Sequence, residues 1–170
     1  MVTLIPDGKL LFTPGDTHGI IVTIIAEVEI KTMPDCIFCR IVAGRAPAVK
    51  VLETPRVLAF LDIAPVHYGH TLVIPKEHYE TILDLPDDLW MEMGQVVRRV
   101  AQALRQVLFA RGFNVAMNNF DAAGQVVFHA HLHVIPRFLS DGLQFFPQGS
   151  YLSGDIEKMG QQLRQAVEEK

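Results

Sequence analysis

The stretch "FHAHLHVIPR", Phe128–Arg137, carries His129, His131 and His133 at alternate positions. In a strand successive side chains point to opposite faces, so the three imidazoles share one face and Phe128, Ala130, Leu132 and Val134 the other. Like neighbours then stand about 6.6 Å apart along the chain. The apolar face is expected in the core and the histidine face in a polar site, whereas a helix would scatter the rings around its axis. Such a row suits zinc ligation. It equally suits nucleophilic catalysis, in which one neutral imidazole attacks while its neighbours position it and move protons. Ordinary surface histidines explain one or two such positions better than three.

Nearby segments add to the row. "AAGQVVFHAHLH" puts Gly124 just before it, where backbone amides can come close to an anion. "APVHYGHTLVIPKEHY" supplies His70, Lys76 and His78, and "FLDI" supplies Asp62 at a strand end. The two cysteines, Cys36 and Cys39, form a C-x-x-C in "DCIFC". Taken alone, that pair is open to redox, metal and buried-thiol readings. His18 and His67 fit no motif and are expected in exposed loops, and Lys76 on the surface. Arg137, beyond Pro136, is open to a ligand, a partner chain or a structural role.

The elements that must position these groups are legible from pattern. A short helix is expected from Ile37 to Val42, stopping at Gly44. "AVKVLE" and "VLAFLDI" read as a hairpin about "TPR", and "HTLVIP" as a strand ended by Pro75. Leu89, Met93, Val96, Val100, Leu104 and Val107 make a helical stripe, with Asp87 as N-cap and Gly112 as stop. "FNVAMNN" and "VVFHAHLHVI" read as strands, and Asp155–Glu168 as a last helix. The fold class is α+β: a mainly antiparallel sheet, one long helix, and short N- and C-terminal helices. Residues 1–32 differ in character and read as an extension, open to a strand hairpin of Gly8–Thr13 and Gly19–Ile30 about "PGD". Residues 33–170 then form the main domain.

The chain's 170 residues, 49% of them hydrophobic, suffice for one domain with a core. A net charge of −4 gives no general argument for nucleic acid or an anionic membrane surface. No apolar run reaches the roughly 18 residues that cross a membrane. Two cysteines make no disulfide framework, and "GIIVTIIAEVEI" lacks a basic leader, so a cytoplasmic protein is expected.

Taken together the residues resemble the histidine-triad nucleotide-binding (HIT) family, whose signature is His-φ-His-φ-His-φ-φ with φ apolar. His129-Ala-His131-Leu-His133-Val-Ile matches it in full, and "GHTLVIPKEH" and "NVAMNN…AGQ" resemble family stretches. The likeness covers about residues 35–138. Histidine at the third position argues against the transferase branch, which has glutamine there. The resemblance implies a HIT-like homodimer that binds a purine nucleotide such as AMP. His131 would attack the α-phosphorus to give a nucleotidyl-histidine that water releases. His133 would serve phosphate oxygens and the leaving group, and His70 the proton relay. Asn118, Gln125 and the backbone of Gly124–Val126 would hold phosphate, and Asp62 the ribose. Ile37, Phe38, Ile41, Phe60 and Ile63 would wall the base. Bacterial relatives with the C-x-x-C imply a structural zinc on Cys36, Cys39, His78 and His129. Val126 departs from the usual Ser or Thr.

The expected activity is that of a nucleotide phosphoramidase or nucleotidyl hydrolase acting on adenosine 5′-phosphoramidates. A dinucleoside polyphosphate hydrolase is the nearest alternative, followed by a nucleotide-binding regulatory protein with vestigial turnover. A zinc-bearing structural module would leave His131 and His133 unexplained.

Overall fold

A computed structural model describes residues 2–4, 10–12, 33, 35–144 and 146–169. The chain forms two units, Met1–Lys31 and Thr32–Lys170. In the first, β1 (Val2–Leu4) pairs antiparallel with β2 (Leu10–Phe12), Thr3 opposite Leu11. The expected Gly8–Thr13 run thus contains β2, but β2 pairs with a strand the pattern did not suggest. The expected run Gly19–Ile30 and the "PGD" turn lie outside the described residues.

The second unit is built on an antiparallel sheet of β3 (Lys50–Glu53), β4 (Val57–Leu61), β5 (Thr71–Pro75), β6 (Gly112–Ala116) and β7 (Leu132–Arg137), in the order β3-β4-β5-β7-β6. The hairpin closes where Thr54 Oγ1 accepts from Val57 N–H at 2.9 Å. β4 and β5 are apolar at nearly every position because both of their faces are covered. On one face Val57, Ala59, Val73, Leu132 and Val134 meet Leu89, Met93, Val96, Val100 and Leu104 of the long helix α2 (Asp87–Leu108). On the other face Leu58, Phe60, Leu72 and Ile74 meet Phe38 and Ile41 of α1 (Ile37–Val42). α3 (Asp155–Glu168) ends the chain with the expected bounds and no buried residue.

Among the boundaries that differ from expectation are three at α2 and the histidine strand. Asp87 is the first residue of α2 rather than its cap; Pro86 precedes it, and Asp87 and Asp88 complement the helix dipole. α2 ends at Phe109, held at φ 54°, so Val107 is exposed and Gly112 opens β6 instead of stopping the helix. The histidine strand is shorter than its alternation suggests. Pairing begins at Leu132, because the chain bends where His129 N–H donates to Val127 O at 2.9 Å and Ala130 N–H to Tyr79 O at 2.6 Å. Val127 therefore packs in the α1-side core, and Phe128, expected to be buried, is 47% exposed.

Candidate functional site

The bend leaves the three histidines together on the α1 side. The edge of Phe38 meets the rings of His129 and His131, with centroids 5.8 and 5.3 Å apart, and meets Phe60 at 5.6 Å. The rings of His131 and His133 lie 4.9 Å apart. His129 and His131 are buried, His129 completely, and His133 is partly exposed, where the expectation was an open polar face for all three.

Hydrogen bonds assign the ring protons, because a carbonyl oxygen can only accept. Nδ1 of His131 lies 2.6 Å from the carbonyl oxygen of His129 and must donate to it. Its Nε2 is then the bare nitrogen of a neutral ring. Nδ1 of His70 accepts from Val66 N–H at 3.2 Å, so the proton of His70 sits on Nε2 and donates to Nδ1 of His133 at 2.9 Å. That bond puts the proton of neutral His133 on its own Nε2. Asp62 follows β4, its Oδ1 accepting from Ala64 N–H at 2.9 Å and its Oδ2 lying 3.4 Å from Nδ1 of His70.

Burial favours the neutral rings. It pushes His133 down to about 4, helped by the neighbouring His131 and His70, against the pull of Asp62. It lowers His131 against the hydrogen bond to His129, and His70 against the carboxylate of Asp62. His131, His133 and His70 are therefore uncharged near neutral pH, as a nitrogen nucleophile requires.

The cysteines meet the remaining histidines. Nε2 of His129 donates to Pro75 O at 2.9 Å, which leaves Nδ1 bare towards Cys36 Sγ at 3.5 Å and Cys39 Sγ at 3.7 Å. Nδ1 of His78 lies 3.4 Å from Cys39 Sγ. The four ligand atoms of Cys36, Cys39, His78 and His129 lie within 4.8 Å of one another. Tetrahedral ligands at zinc bond lengths stand about 3.3–3.8 Å apart, so the residues present suit that ion. Burial raises the Cys39 thiol and pushes His129 down to about 4.

The other expected site residues divide. Phe38, Ile41 and Phe60 pack together, while Ile37 is partly exposed and Ile63 wholly so, at 99%. Asn118 Nδ2 donates to Gly124 O at 3.4 Å, and Gly124 has φ 82°, a conformation that suits glycine. The amide of Gln125 is turned inward: it donates to Glu80 O at 2.7 Å and accepts from Phe120 N–H at 2.7 Å. These bonds order the loop. The Val126 side chain is 87% exposed. Arg137 takes the structural one of its open roles, donating to both oxygens of Asp141 at 2.7 and 2.8 Å. Lys76 pairs with Glu53 at 2.7 Å. Sequence reasoning missed the carbonyls of His129 and Pro75 and the N–H of Val66, which fix the tautomers; backbone groups leave no signal in residue type.

Residues 43–139 match the family model of the HIT domain. The chain belongs to the HIT family. It is 44% identical over 128 residues to a HIT-like protein of Borreliella burgdorferi, covering 74% of this chain and 91% of that one. It is 45% identical over 102 residues to an adenosine 5′-monophosphoramidase of Schizosaccharomyces pombe, covering 60% and 74%. Among solved structures, a zinc-bound histidine triad family protein from Mycobacterium smegmatis superposes with a TM-score of 0.63 at 45% identity, covering 68% of this chain and 84% of that one. Among the described residues no helix is long and apolar enough to cross a membrane.

Proposed function

We propose that this HIT protein is a nucleotide phosphoramidase that hydrolyses purine nucleoside 5′-phosphoramidates through a nucleotidyl intermediate on His131. The observation that carries the reading is the pair of tautomers: a bare Nε2 on His131 beside an Nε2–H on His133. The S. pombe relative supports the substrate class.

In the first step the lone pair of His131 Nε2 forms a bond to phosphorus. The phosphorus–nitrogen bond to the leaving group breaks with its electron pair, and the departing amine takes up one proton. His133 donates a hydrogen bond to a phosphoryl oxygen, and the one proton that the amine takes up comes from solvent through His70 and His133, with the carboxylate of Asp62 offsetting the positive charge while the relay holds it. In the second step water attacks phosphorus, its extra proton returns to the relay, and the electron pair goes back to His131. Asp62 accepts from ribose hydroxyls. Asn118 and the backbone at Gly124–Val126 bind phosphate, with Gln125 keeping that loop in shape. Phe38, Ile41 and Phe60 wall the base, with Ile37 and Ile63 at its rim.

Cys36, Cys39, His78 and His129 would hold a structural zinc, which would tie α1, the segment after β5 and the triad to one another. The catalytic domain is residues 33–170, with residues 1–32 an extension, and the protein works as a cytoplasmic homodimer.

The test is to quench the reaction with an adenosine 5′-phosphoramidate early and map the labelled peptide. An adenylyl group on His131 is expected. Turnover with the label on another residue would overturn the assignment. A diadenosine polyphosphate assayed in parallel reads the leaving-group preference, with the phosphoramidate expected to be faster.

A further inference from the structure

His67 is not the exposed loop residue its sequence context suggested. Its ring is stacked on Phe138, with centroids 4.6 Å apart and planes inclined by 31°. Its Nδ1 is buried without a hydrogen-bond partner among the described residues. A buried nitrogen without a partner destabilises a fold, so the ring is held by its face rather than by that nitrogen.

The stack joins two parts of the relay. On one side, His67 closes the turn that delivers His70: His70 N–H donates to His67 O at 2.9 Å. The same turn aims Val66 N–H at Nδ1 of His70. Gly69 sits in it at φ 92°, and a Cβ there would come 2.5 Å from Leu108 Cδ1, so the turn already lies against α2. On the other side, Phe138 follows β7, the strand that bears His133. Phe138 N–H donates to Asp141 Oδ2 at 3.1 Å, and that carboxylate is gripped by Arg137. Arg137 also donates to Asn114 Oδ1 at 2.6 Å and Leu143 O at 2.7 Å. Phe138 is thus a fixed plate at the end of the strand that carries His133, and the turn carrying His70 rests on it through His67.

We propose that His67 is a positioning residue. Its stack on Phe138 holds the 66–70 turn so that Val66 occupies Nδ1 of His70 and the proton of His70 stays on Nε2, directed at His133. The kinetic part of this inference rests on the function proposed above. Without the stack the proton can sit on Nδ1 of His70, where Asp62 lies 3.4 Å away. Nε2 of His70 would then accept from Nδ1 of His133, and His133 would present a bare nitrogen to the phosphoryl group instead of a donor. Chemistry should slow while nucleotide binding stays.

The variants are His67→Ala and Phe138→Leu, which remove the stack, and His67→Phe, which keeps it. Two readouts apply: nitrogen-15 NMR of the His70 tautomer in nucleotide-free protein, and steady-state kinetics with an adenosine 5′-phosphoramidate. The stack-removing variants should lower kcat by about tenfold or more with KM within about twofold, since small misplacements cost chemistry more than binding. Their His70 should leave the pure Nε2–H state, and His67→Phe should retain both properties. An unchanged His70 tautomer without the stack would overturn the proposal, as would His67→Phe proving as impaired as His67→Ala. If the unaltered protein fails to turn the substrate over, the functional reading falls, and the tautomer measurement still decides the role of His67.

Discussion

Nδ1 of His131 donates to the backbone carbonyl of His129 across 2.6 Å. This contact ties the two halves of the triad region together. The residue whose ring faces the cysteines also holds, through its backbone, the proton that leaves Nε2 of His131 bare.

Removing that nitrogen should remove the reaction. His131→Ala is expected to lower turnover by about a thousandfold or more, as loss of a covalent nucleophile does. AMP should still bind within roughly tenfold, because phosphate and base contacts remain. Stopped assays and titration calorimetry check the two halves, and full hydrolysis by the variant would remove His131 from the nucleophile role.

The neutral histidines make the fold acid-sensitive. His133 is held down to about 4, chiefly by burial, against an ordinary value near 6.5. Between those values the unfolded chain binds a proton that the folded chain refuses. The contribution of this ring is therefore complete above about pH 6.5 and is lost as pH falls towards 4. Urea midpoints across that window should decline less steeply for His133→Asn than for the unaltered chain. Equal slopes would contradict the burial argument.

Zinc occupancy has its own signature. Protein prepared without chelator should carry about one zinc per chain, and Cys36→Ser or His78→Ala well under that. Chelation should lower the thermal midpoint of the unaltered protein and leave that of Cys36→Ser nearly unmoved. Metal analysis beside scanning calorimetry tests both, and a chelator-insensitive midpoint in zinc-loaded protein would deny the metal a structural role.

Asp62 has two duties in the proposed reaction, one towards ribose and one towards His70. Asp62→Asn should raise KM by about threefold to tenfold for a ribonucleotide substrate, the worth of a hydrogen bond or two. It should do so far less for a 2′,3′-dideoxy substrate, while kcat falls for both. Equal KM changes for the two sugars would take Asp62 off the ribose.

Much of this site was legible in residue types, and the misses have a common cause. Alternation placed the three histidines on one side, and the stripe from Leu89 to Leu104 follows from spacing because burial against the sheet dictates it. The start of β7 was not legible. Two backbone bonds, from His129 to Val127 and from Ala130 to Tyr79, bend the chain where an alternating pattern reads as straight strand. Phe109 ends α2 in a left-handed conformation that glycine would have signalled. His67 matched nothing, because its partner, Phe138, lies 71 residues further along the chain.

β7 lies between β5 and β6, with His133 opposite Leu72 on one side and Ala116 on the other. The paired strand begins at Leu132, one residue after His131, and the His131 ring is itself tied by Nδ1 to the carbonyl of His129 at 2.6 Å, so that imidazole is not free to cross the site between the two proposed steps. In the proposed reaction the nucleophile then stays on one side of phosphorus, and the hydrolytic water is expected to enter along the line the amine has vacated. Each displacement turns the phosphorus centre inside out, and two restore its handedness. An adenosine phosphoramidate made chiral at phosphorus with sulfur and heavy oxygen should therefore yield a product of retained configuration, an imprint of the tethered ring left on the nucleotide it releases.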